Sequence, residues 1–504
     1  MSSTKDGGTP SHNTPMDVEC ATPKESLNDR DESIEPGKDV ANVVEVVTDL
    51  DNDVSLPMNW PLGKKVFNVA VPSLLGFVIS FGSSIYAPAV PDVMRAFKVS
   101  ETIATVPLTT YVLGLAFGPM LSAPISEIFG RLGTYRFTVP ISALFTLGAR
   151  FSPNIAALCI LRFFAGFFGG APLPVAAGTA ADMFRAQEFA IAGSFLLYFP
   201  FLGPAIGPVV GGFATQYNGW KWSQYVLTIT MIVAWIPAFF LEETYLKIIL
   251  ARRKEKVEAV QAAEKQAKPP AKTLLFGILF ITLLRPAKML VYEPIVTFLS
   301  IYVAFGFAVI FTFFSSVPYV FGLVYHFDRG NNGLVFLSIA LGCTLALPTC
   351  IILDRVKYQK AYRKTPGKVP PELRLWPAMC GAFGLPLSLF WFAWTARSDV
   401  HWIVPIIAMV PFAWGNLCIY VSTSLYLIDT YAALTAASAI AANGLLRYVF
   451  GGTFPLFTIQ MYEKLGIGWA TSLLGFVSLV MLPIPWVLYA LGPKIRGASH
   501  FETR

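Results

Sequence analysis

The apolar segments of this 504-residue chain contain few side chains that could bind an ion or carry a proton. Arg162 and Arg447 lie within long apolar runs, and Glu293 stands at the start of another. Glu293 is the first candidate for a proton carrier, because the pKa of a carboxyl group follows its surroundings. Asp182 and Asp429, at the ends of apolar runs, are further candidates. The alternative for Glu293 is a structural acid at the positive end of a helix dipole.

Arg162 is followed by small residues at four-residue spacing, namely Gly166, Gly170, Pro174 and Gly178. Residues spaced by four share one face of a helix, so the arginine is predicted to point into a helix bundle rather than toward lipid. A charge placed there is costly and is normally functional or paired. We therefore predict a role for Arg162 in substrate translocation and proton coupling. The alternative is an arginine whose long side chain reaches the membrane surface.

Two groups of aromatic and polar residues are predicted to line a substrate cavity. The first group recurs at intervals of four and three residues along one helix face, and the second is a mixed polar and aromatic stretch. A cavity with two arginines and few acids favours neutral or anionic aromatic compounds over polycations. The predicted lining residues are Phe298, Tyr302 and Phe305 in the first group, and Trp414, Asn416 and Tyr420 in the second.

A stripe of glycines, Gly203, Gly207 and Gly211, also recurs every four residues. Glycines on one helix face let a neighbouring backbone approach closely. Pro204 and Pro208 belong to a second stripe beside them, and each removes a backbone donor, so the helix is expected to bend or flex. Simple packing of small residues would explain one such pair of glycines, but it does not explain two stripes in register.

Two charged segments are predicted to act in gating. The first runs from Glu127 through Gly130 to Arg131, where the glycine permits a tight turn between charged residues. The second is the pair Asp354 and Arg355, which follows a later apolar run.

Composition shows which elements must hold these residues in place. A soluble domain has about 25% charged residues, whereas this chain has 14% charged and 55% hydrophobic residues. Most of it must therefore face lipid, and a membrane-crossing helix needs about 20 apolar residues. Twelve segments qualify, which we call spans 1 to 12: 67–89, 103–123, 134–152, 155–178, 190–213, 222–241, 294–316, 333–353, 375–396, 402–424, 433–457 and 468–490.

The spans divide into two sets of six around a long charged insertion. The predicted organisation is a disordered acidic tail (1–56), a first half (57–241), a central loop (242–288), a second half (289–490) and a C-terminal tail (491–504). Within the central loop, RRKEKVEAVQAAEKQAK is predicted to be a charged amphipathic helix beside the membrane or a solvated linker. Lys and Arg are concentrated in the loops on the side of both termini, which are therefore predicted to be cytoplasmic.

Several motifs resemble those of one transporter superfamily. The glycine and proline stripes resemble the antiporter motif of drug:proton antiporters in the major facilitator superfamily. The segment from Glu127 to Arg131 resembles the superfamily's loop signature, although Leu132 replaces its second basic residue, so a thinner charge network is expected there. Arg162 resembles the arginine that this superfamily links to proton transfer.

Other segments resemble the fungal twelve-helix drug:proton antiporter family, which contains polyamine, azole-resistance and toxin exporters. The resemblance covers about residues 55–495 and is nearly silent on the substrate. The segments are Pro57–Pro61, Leu283–Pro286, Tyr292–Ile295, Asp354–Arg355, Pro371–Leu375, Phe390–Thr395 and Tyr426–Tyr431.

The resemblance implies an all-α membrane protein with the major facilitator fold, twelve helices in two pseudo-symmetric halves, that works as a monomer. It implies proton-coupled export of a secondary metabolite, toxin or drug, as in multidrug resistance or toxin self-protection. The plasma membrane is the expected location, with a vacuolar or vesicle membrane as the alternative. A polyamine exporter, a nutrient-importing facilitator and a multi-span enzyme or sensor are the other functions considered.

Enzymatic motifs are missing from the sequence. It has no Gly-x-x-x-x-Gly-Lys-Ser/Thr phosphate loop and no Gly-x-Ser-x-Gly nucleophile turn. Its four histidines are scattered and form no metal-binding motif. We therefore expect no enzyme activity, no metal, no cofactor and no nucleic-acid partner; the proton gradient is the expected energy source.

Overall fold

The computed structural model describes residues 53, 56–251, 284–365, 369–499 and 501. These residues form helices and loops and contain no β-strand. The tail before residue 53 and the predicted helix RRKEKVEAVQAAEKQAK lie outside the described residues. Residues 54–501, as far as they are described, belong to one compact unit.

Each predicted span coincides with one or more helices. In the first half these are Leu62–Ser84 with Val90–Phe97 (span 1), Glu101–Phe129 (2), Arg131–Arg150 (3), Ile155–Gly169 with Pro172–Met183 (4), Ala186–Asn218 (5) and Lys221–Trp235 (6). In the second half they are Pro294–Tyr325 (7), Arg329–Val335 with Leu337–Leu353 (8), Trp376–Gly381 with Gly384–Thr395 (9), Ile403–Thr430 (10), Ala433–Thr453 (11) and Pro455–Met481 with Ile484–Gly497 (11 to 12).

Ten helical segments of the described chain are long and apolar enough to cross a membrane. The other two predicted spans, 3 and 11, are helical but do not meet that criterion, and their crossing stays a prediction. Span 3 includes Arg131, Arg136 and Arg150, which lower its hydropathy. The protein is therefore a multi-pass helical membrane protein.

Three glycines with positive φ separate neighbouring spans. Gly130 (φ 93°) divides spans 2 and 3, Gly219 (φ 78°) divides spans 5 and 6, and Gly466 (φ 76°) divides spans 11 and 12. Their ψ values of about 160–175° place them in a backbone region that is essentially restricted to glycine. Each glycine therefore lets one helix stop and the next begin in reverse direction with almost no loop.

The two halves repeat the same packing. Span 1 packs on span 5, span 2 on span 4, and span 3 on span 6; span 7 packs likewise on span 11, span 8 on span 10, and span 9 on span 12. Between the halves, span 5 contacts span 8 and span 2 contacts span 11. The pattern corresponds to two six-helix repeats related by a pseudo-twofold axis.

The halves are joined firmly at one end of the bundle. We call the end where span 1 begins and span 12 finishes the terminal end, and the opposite one the far end. At the far end, Arg329 of span 8 forms an ion pair of 2.8 Å with Asp92. Gln216 accepts a hydrogen bond from the backbone N–H of Gly330 at 2.7 Å, and Thr109 donates to the carbonyl of Gly452 at 2.7 Å. The structure is thus closed at the far end.

Candidate functional site: a central cavity between the halves

A cavity lies between the two halves. Its void of about 60 Å³ is far smaller than the roughly 300–1,000 Å³ of a site that holds a drug-sized ligand. The halves must therefore separate locally to admit a substrate. The lining consists of Pro72, Gly76, Ser80, Leu173, Ala176, Ala177, Leu196, Leu197, Pro200 and Phe201 from the first half, and Phe307, Tyr420, Arg447 and Tyr448 from the second.

Arg447 is the charged residue among these lining residues, and none of them is acidic. Its side chain is only 8% exposed. The guanidinium carbon lies 4.5 Å from the ring centre of Tyr420, 4.7 Å from that of Tyr448 and 5.0 Å from that of Phe307. The cavity therefore presents a positive charge held against three aromatic rings.

Aromatic contacts also close the cavity between the halves. The ring of Phe201, from span 5, stacks on Tyr420 of span 10 with centroids 4.7 Å apart. The same ring meets Phe307 of span 7 edge to face at 5.7 Å. Aromatic pairs of this geometry contribute about 0.5–1.5 kcal/mol each beyond area burial. Phe201 therefore bridges the halves with contacts weak enough to break during a transport cycle.

Of the six predicted lining residues, Tyr420 is the one that lines this cavity. Phe298 is 52% exposed at the protein surface, whereas Tyr302 and Phe305 are buried in the packing of the second half. The indole N–H of Trp414 donates to Thr349 at 3.1 Å, and the Asn416 amide donates to the carbonyl of Gly306 at 3.3 Å. Helix periodicity identified a shared face but could not specify which partner that face meets.

Arg162 is almost fully buried inside the first half, with 1% exposure, and does not line the cavity. Its Nε donates to the Pro107 carbonyl at 2.9 Å, and one terminal nitrogen donates to the Gly82 carbonyl at 3.0 Å. The other terminal nitrogen donates to Gln224 at 3.3 Å. The guanidinium thereby connects span 4 to spans 1, 2 and 6 and does not extend to the surface.

The glycine stripe of span 5 packs on span 1. A Cβ at Gly203 would lie 2.5 Å from the Phe77 carbonyl oxygen, and one at Gly211 would overlap the Ile85 carbonyl. On another face of span 5, the carbonyl of Pro208 would lie 2.5 Å from a Cβ at Gly333 of span 8. Span 5 is therefore in close backbone contact with its own half and with the opposite half.

At the terminal end of the first half, Arg131 is the centre of a charged cluster. Its Nε pairs with Asp182 at 3.3 Å, and a terminal nitrogen donates to Ser126 at 2.8 Å. Glu243 accepts the backbone N–H of Arg131 at 2.9 Å, which satisfies the start of span 3. Glu127 is exposed. The loop signature thus binds the ends of spans 2, 3, 4 and 6 together.

A similar cluster stands at the terminal end of the second half. Arg374, which begins span 9 and is 4% exposed, forms ion pairs with Asp354 and, at 2.7 Å, with Asp429. Arg355, the predicted partner in sequence, is exposed instead. The two clusters occupy equivalent places in the repeats, with Arg374 in the position of Arg131.

Glu293 lies apart from the cavity, at the terminal end of span 7. It is 1% exposed and accepts hydrogen bonds at 3.0 Å from the hydroxyls of Tyr431 and Ser499. Burial, and then the Glu293 carboxylate, raise the pKa of the Tyr431 hydroxyl, which therefore stays a donor. The candidates Glu293, Asp182 and Asp429 are thus all at the terminal end, each with hydrogen-bonding or ionic partners.

Sequence reasoning did not select several residues that the fold places at these sites. Glu243 and Arg374 complete the charged clusters, and Phe201, Phe307 and Tyr448 complete the cavity. The signal for Arg374 was its place before span 9, which matches the place of Arg131 before span 3. The three aromatic residues had no distinguishing signal, because aromatic residues are frequent throughout the apolar spans.

Comparisons with known proteins agree with this architecture. The Major Facilitator Superfamily profile matches residues 73–455. Polyamine transporter 4 of Saccharomyces cerevisiae is 39% identical, over 89% of this chain and 72% of that protein. Efflux pump FUBT of Fusarium oxysporum is 38% identical, over 92% of this chain and 79% of that protein.

A further relative is the multidrug transporter mdrA of Aspergillus fumigatus, 38% identical over 90% of this chain and 75% of that protein. Among solved structures, a D-xylose–proton symporter superposes with a TM-score of 0.60 at 14% identity, covering 84% of this chain and 97% of that one. The latter likeness concerns the fold alone. The profile match, the relatives and the repeated six-helix packing lead to one conclusion: the chain belongs to the Major Facilitator Superfamily and is a transporter, not an enzyme.

Proposed function

We propose that this transporter exports amphipathic small molecules from a fungal cell, driven by the proton gradient. The observation that carries the proposal is the central cavity, whose lining combines aromatic rings with Arg447 and includes no carboxylate among the described residues. Relatives named as an efflux pump and a multidrug transporter support the outward direction.

The proposed cycle follows from the two-halves architecture. With the far end held by Asp92 and Arg329, a substrate enters from the terminal end, which we place in the cytoplasm of a plasma-membrane protein. The far-end contacts then break while the terminal end closes, and the substrate leaves on the other side. Asp182, Asp429, Glu293 and Arg162 remain the candidates for proton coupling. We propose a monomer that needs no cofactor.

A polyamine exporter is the second candidate, favoured by the relative named Polyamine transporter 4. A polyamine carries several positive charges, and binding them normally requires carboxylates within hydrogen-bonding reach. Arg447 would repel such a substrate from the cavity. Uptake of a nutrient, or residence in a vacuolar or vesicle membrane, has no supporting observation in the cavity.

Expression in an efflux-deficient yeast tests the proposal. Cells with the transporter should accumulate less of at least one compound in a panel of hydrophobic toxicants, and a protonophore should abolish the difference. Spermidine is assayed in parallel to test the polyamine alternative. Accumulation that is unchanged across the panel would contradict export, and uptake that is independent of pH would indicate a facilitator. Imaging of a fluorescent fusion reports the membrane in which the protein resides.

A further inference from the structure

The two buried arginines of this transporter differ in how their hydrogen-bonding capacity is used. All three nitrogens of Arg162 donate to protein oxygens, as described above. By contrast, the Nε of Arg447 is buried and has no hydrogen-bond partner within the described structure. A buried donor without an acceptor costs about 1–3 kcal/mol, and more when it is charged. Arg162 is satisfied by its own half, whereas Arg447 is not.

The positive charge of Arg447 also lacks a counter-charge. Its polar neighbours are the side chains of Tyr420 and Tyr448, and no described carboxylate forms an ion pair with it. The acids Asp182 and Asp429 are paired with Arg131 and Arg374 at the terminal end. A buried charge without a partner is expensive and in a membrane protein normally marks a ligand pathway.

We propose that Arg447 is the anion-binding subsite of the cavity and that the substrate is an aromatic compound with a single carboxylate. The carboxylate accepts from the free Nε and neutralises one positive charge with one negative charge. The substrate's ring packs against the aromatic residues around the guanidinium, between Tyr420 and Phe201, which now stack on each other at 4.7 Å. A dianion would leave one negative charge buried without a partner, which disfavours phosphate esters.

This inference rests on the proposed function only for the word substrate, because binding can be measured without a gradient. The probes are 2-naphthoate and its neutral analogue 2-naphthamide, with spermidine as a polycation. Binding to the purified full chain in detergent is measured by calorimetry. Wild type should bind the acid more tightly than the amide, and it should bind spermidine weakly or not at all.

Arg447→Gln should weaken 2-naphthoate binding roughly 10- to 150-fold, the range expected for a hydrogen bond to a charged group, and should change 2-naphthamide binding less than twofold. Arg447→Lys keeps the charge but loses the guanidinium geometry, so it should fall between the two. The matched control is Arg397→Gln, which removes one arginine charge from an exposed side chain outside the cavity. It should bind both probes as wild type does.

Three outcomes would overturn the inference: no saturable binding of 2-naphthoate to wild type, no preference for the acid over the amide, or equal loss of both probes in Arg447→Gln. If Arg447→Gln does not fold, the acid and amide comparison on wild type still decides the question. Failure of the export proposal has a separate signature. In that case 2-naphthoate binds as expected, but proteoliposomes show no transport in response to an imposed pH gradient.

Discussion

Gly207 is the point at which the close approach of spans 5 and 1 can be tested most sharply. A Cβ added there would overlap the Ser84 hydroxyl, and it would lie 2.9 Å from the Ile85 nitrogen and 3.0 Å from the Phe81 carbonyl oxygen. The serine can rotate away, but the backbone atoms cannot. Because ordinary contacts begin at 3.4 Å, the two helices must separate locally by about 0.4–0.5 Å. Overpacking of this kind costs about 1–3 kcal/mol of folding free energy.

Gly193→Ala is a matched control in the same helix. A Cβ at Gly193 has its nearest neighbour at 3.7 Å, an ordinary contact. Both substitutions gain similar helix propensity, so the difference between them isolates the steric effect. We expect Gly207→Ala to lower the melting temperature of the detergent-solubilised protein relative to Gly193→Ala, by roughly 2–4 °C for each kcal/mol lost. Efflux at matched surface expression should fall in Gly207→Ala and be retained in Gly193→Ala.

Gly207→Leu extends the test, because leucine preserves the hydrophobicity needed for membrane insertion but adds four carbon atoms at the same contact. The variant should reach the membrane and fail to transport. If Gly207→Ala and Gly207→Leu are as stable and active as Gly193→Ala, close packing of spans 1 and 5 is not required, and the role assigned to the stripe is wrong.

The remaining predictions concern the buried arginine of span 4, the second charged cluster and a helix boundary. Arg162→Lys keeps the charge but cannot reproduce three divergent hydrogen bonds, so its efflux and melting temperature should lie between those of wild type and Arg162→Ala; a Lys-to-Arg efflux ratio near one would contradict this. Arg374→Gln leaves two carboxylates without their partner and should destabilise the protein by about 3–5 kcal/mol, whereas Arg355→Gln, at an exposed position, should change the melting temperature little; equal effects in a thermal-unfolding assay would refute the assignment of Arg374. Gly130→Ala and Gly219→Ala share the same backbone strain, about 1–3 kcal/mol, but only the first adds a Cβ that overlaps Glu243; Gly130→Ala should therefore lose more stability, and identical melting temperatures would show that the Glu243 contact is not constrained.

The elements of this fold could be predicted from composition and hydrophobicity because the membrane imposes a length and an apolar character on each helix. All twelve predicted spans coincide with helices, and the Gly130 and Gly203–Gly211 motifs marked real turns and close contacts. Local chemistry also explains the helix starts, where Ser100, Asn154 and Asp328 accept hydrogen bonds from the first turn. These features depend on residues near one another in the sequence.

The sequence also determined that Arg162 points into the bundle, because glycine and proline share its helix face. Which partners it meets was decided by tertiary structure, since Pro107, Gly82 and Gln224 come from three other spans. The same holds for Arg374, whose ion pair with Asp429 joins residues 55 positions apart. Arg355 was selected in the sequence because it adjoins Asp354, but on a helix adjacent residues point to different sides.

The central cavity shows the limit most clearly. Its walls come from both halves, so no periodicity within one helix could distinguish Phe201 and Phe307, which face it, from Phe298, which faces outward. Likewise, the sequence identified Arg162 and Arg447 as two rare intramembrane charges of the same type. Only the packing of the helices supplied acceptors to the first and left the Nε of the second without one, because hydrogen bonding is short-range and depends on which backbones come within about 3 Å of the guanidinium.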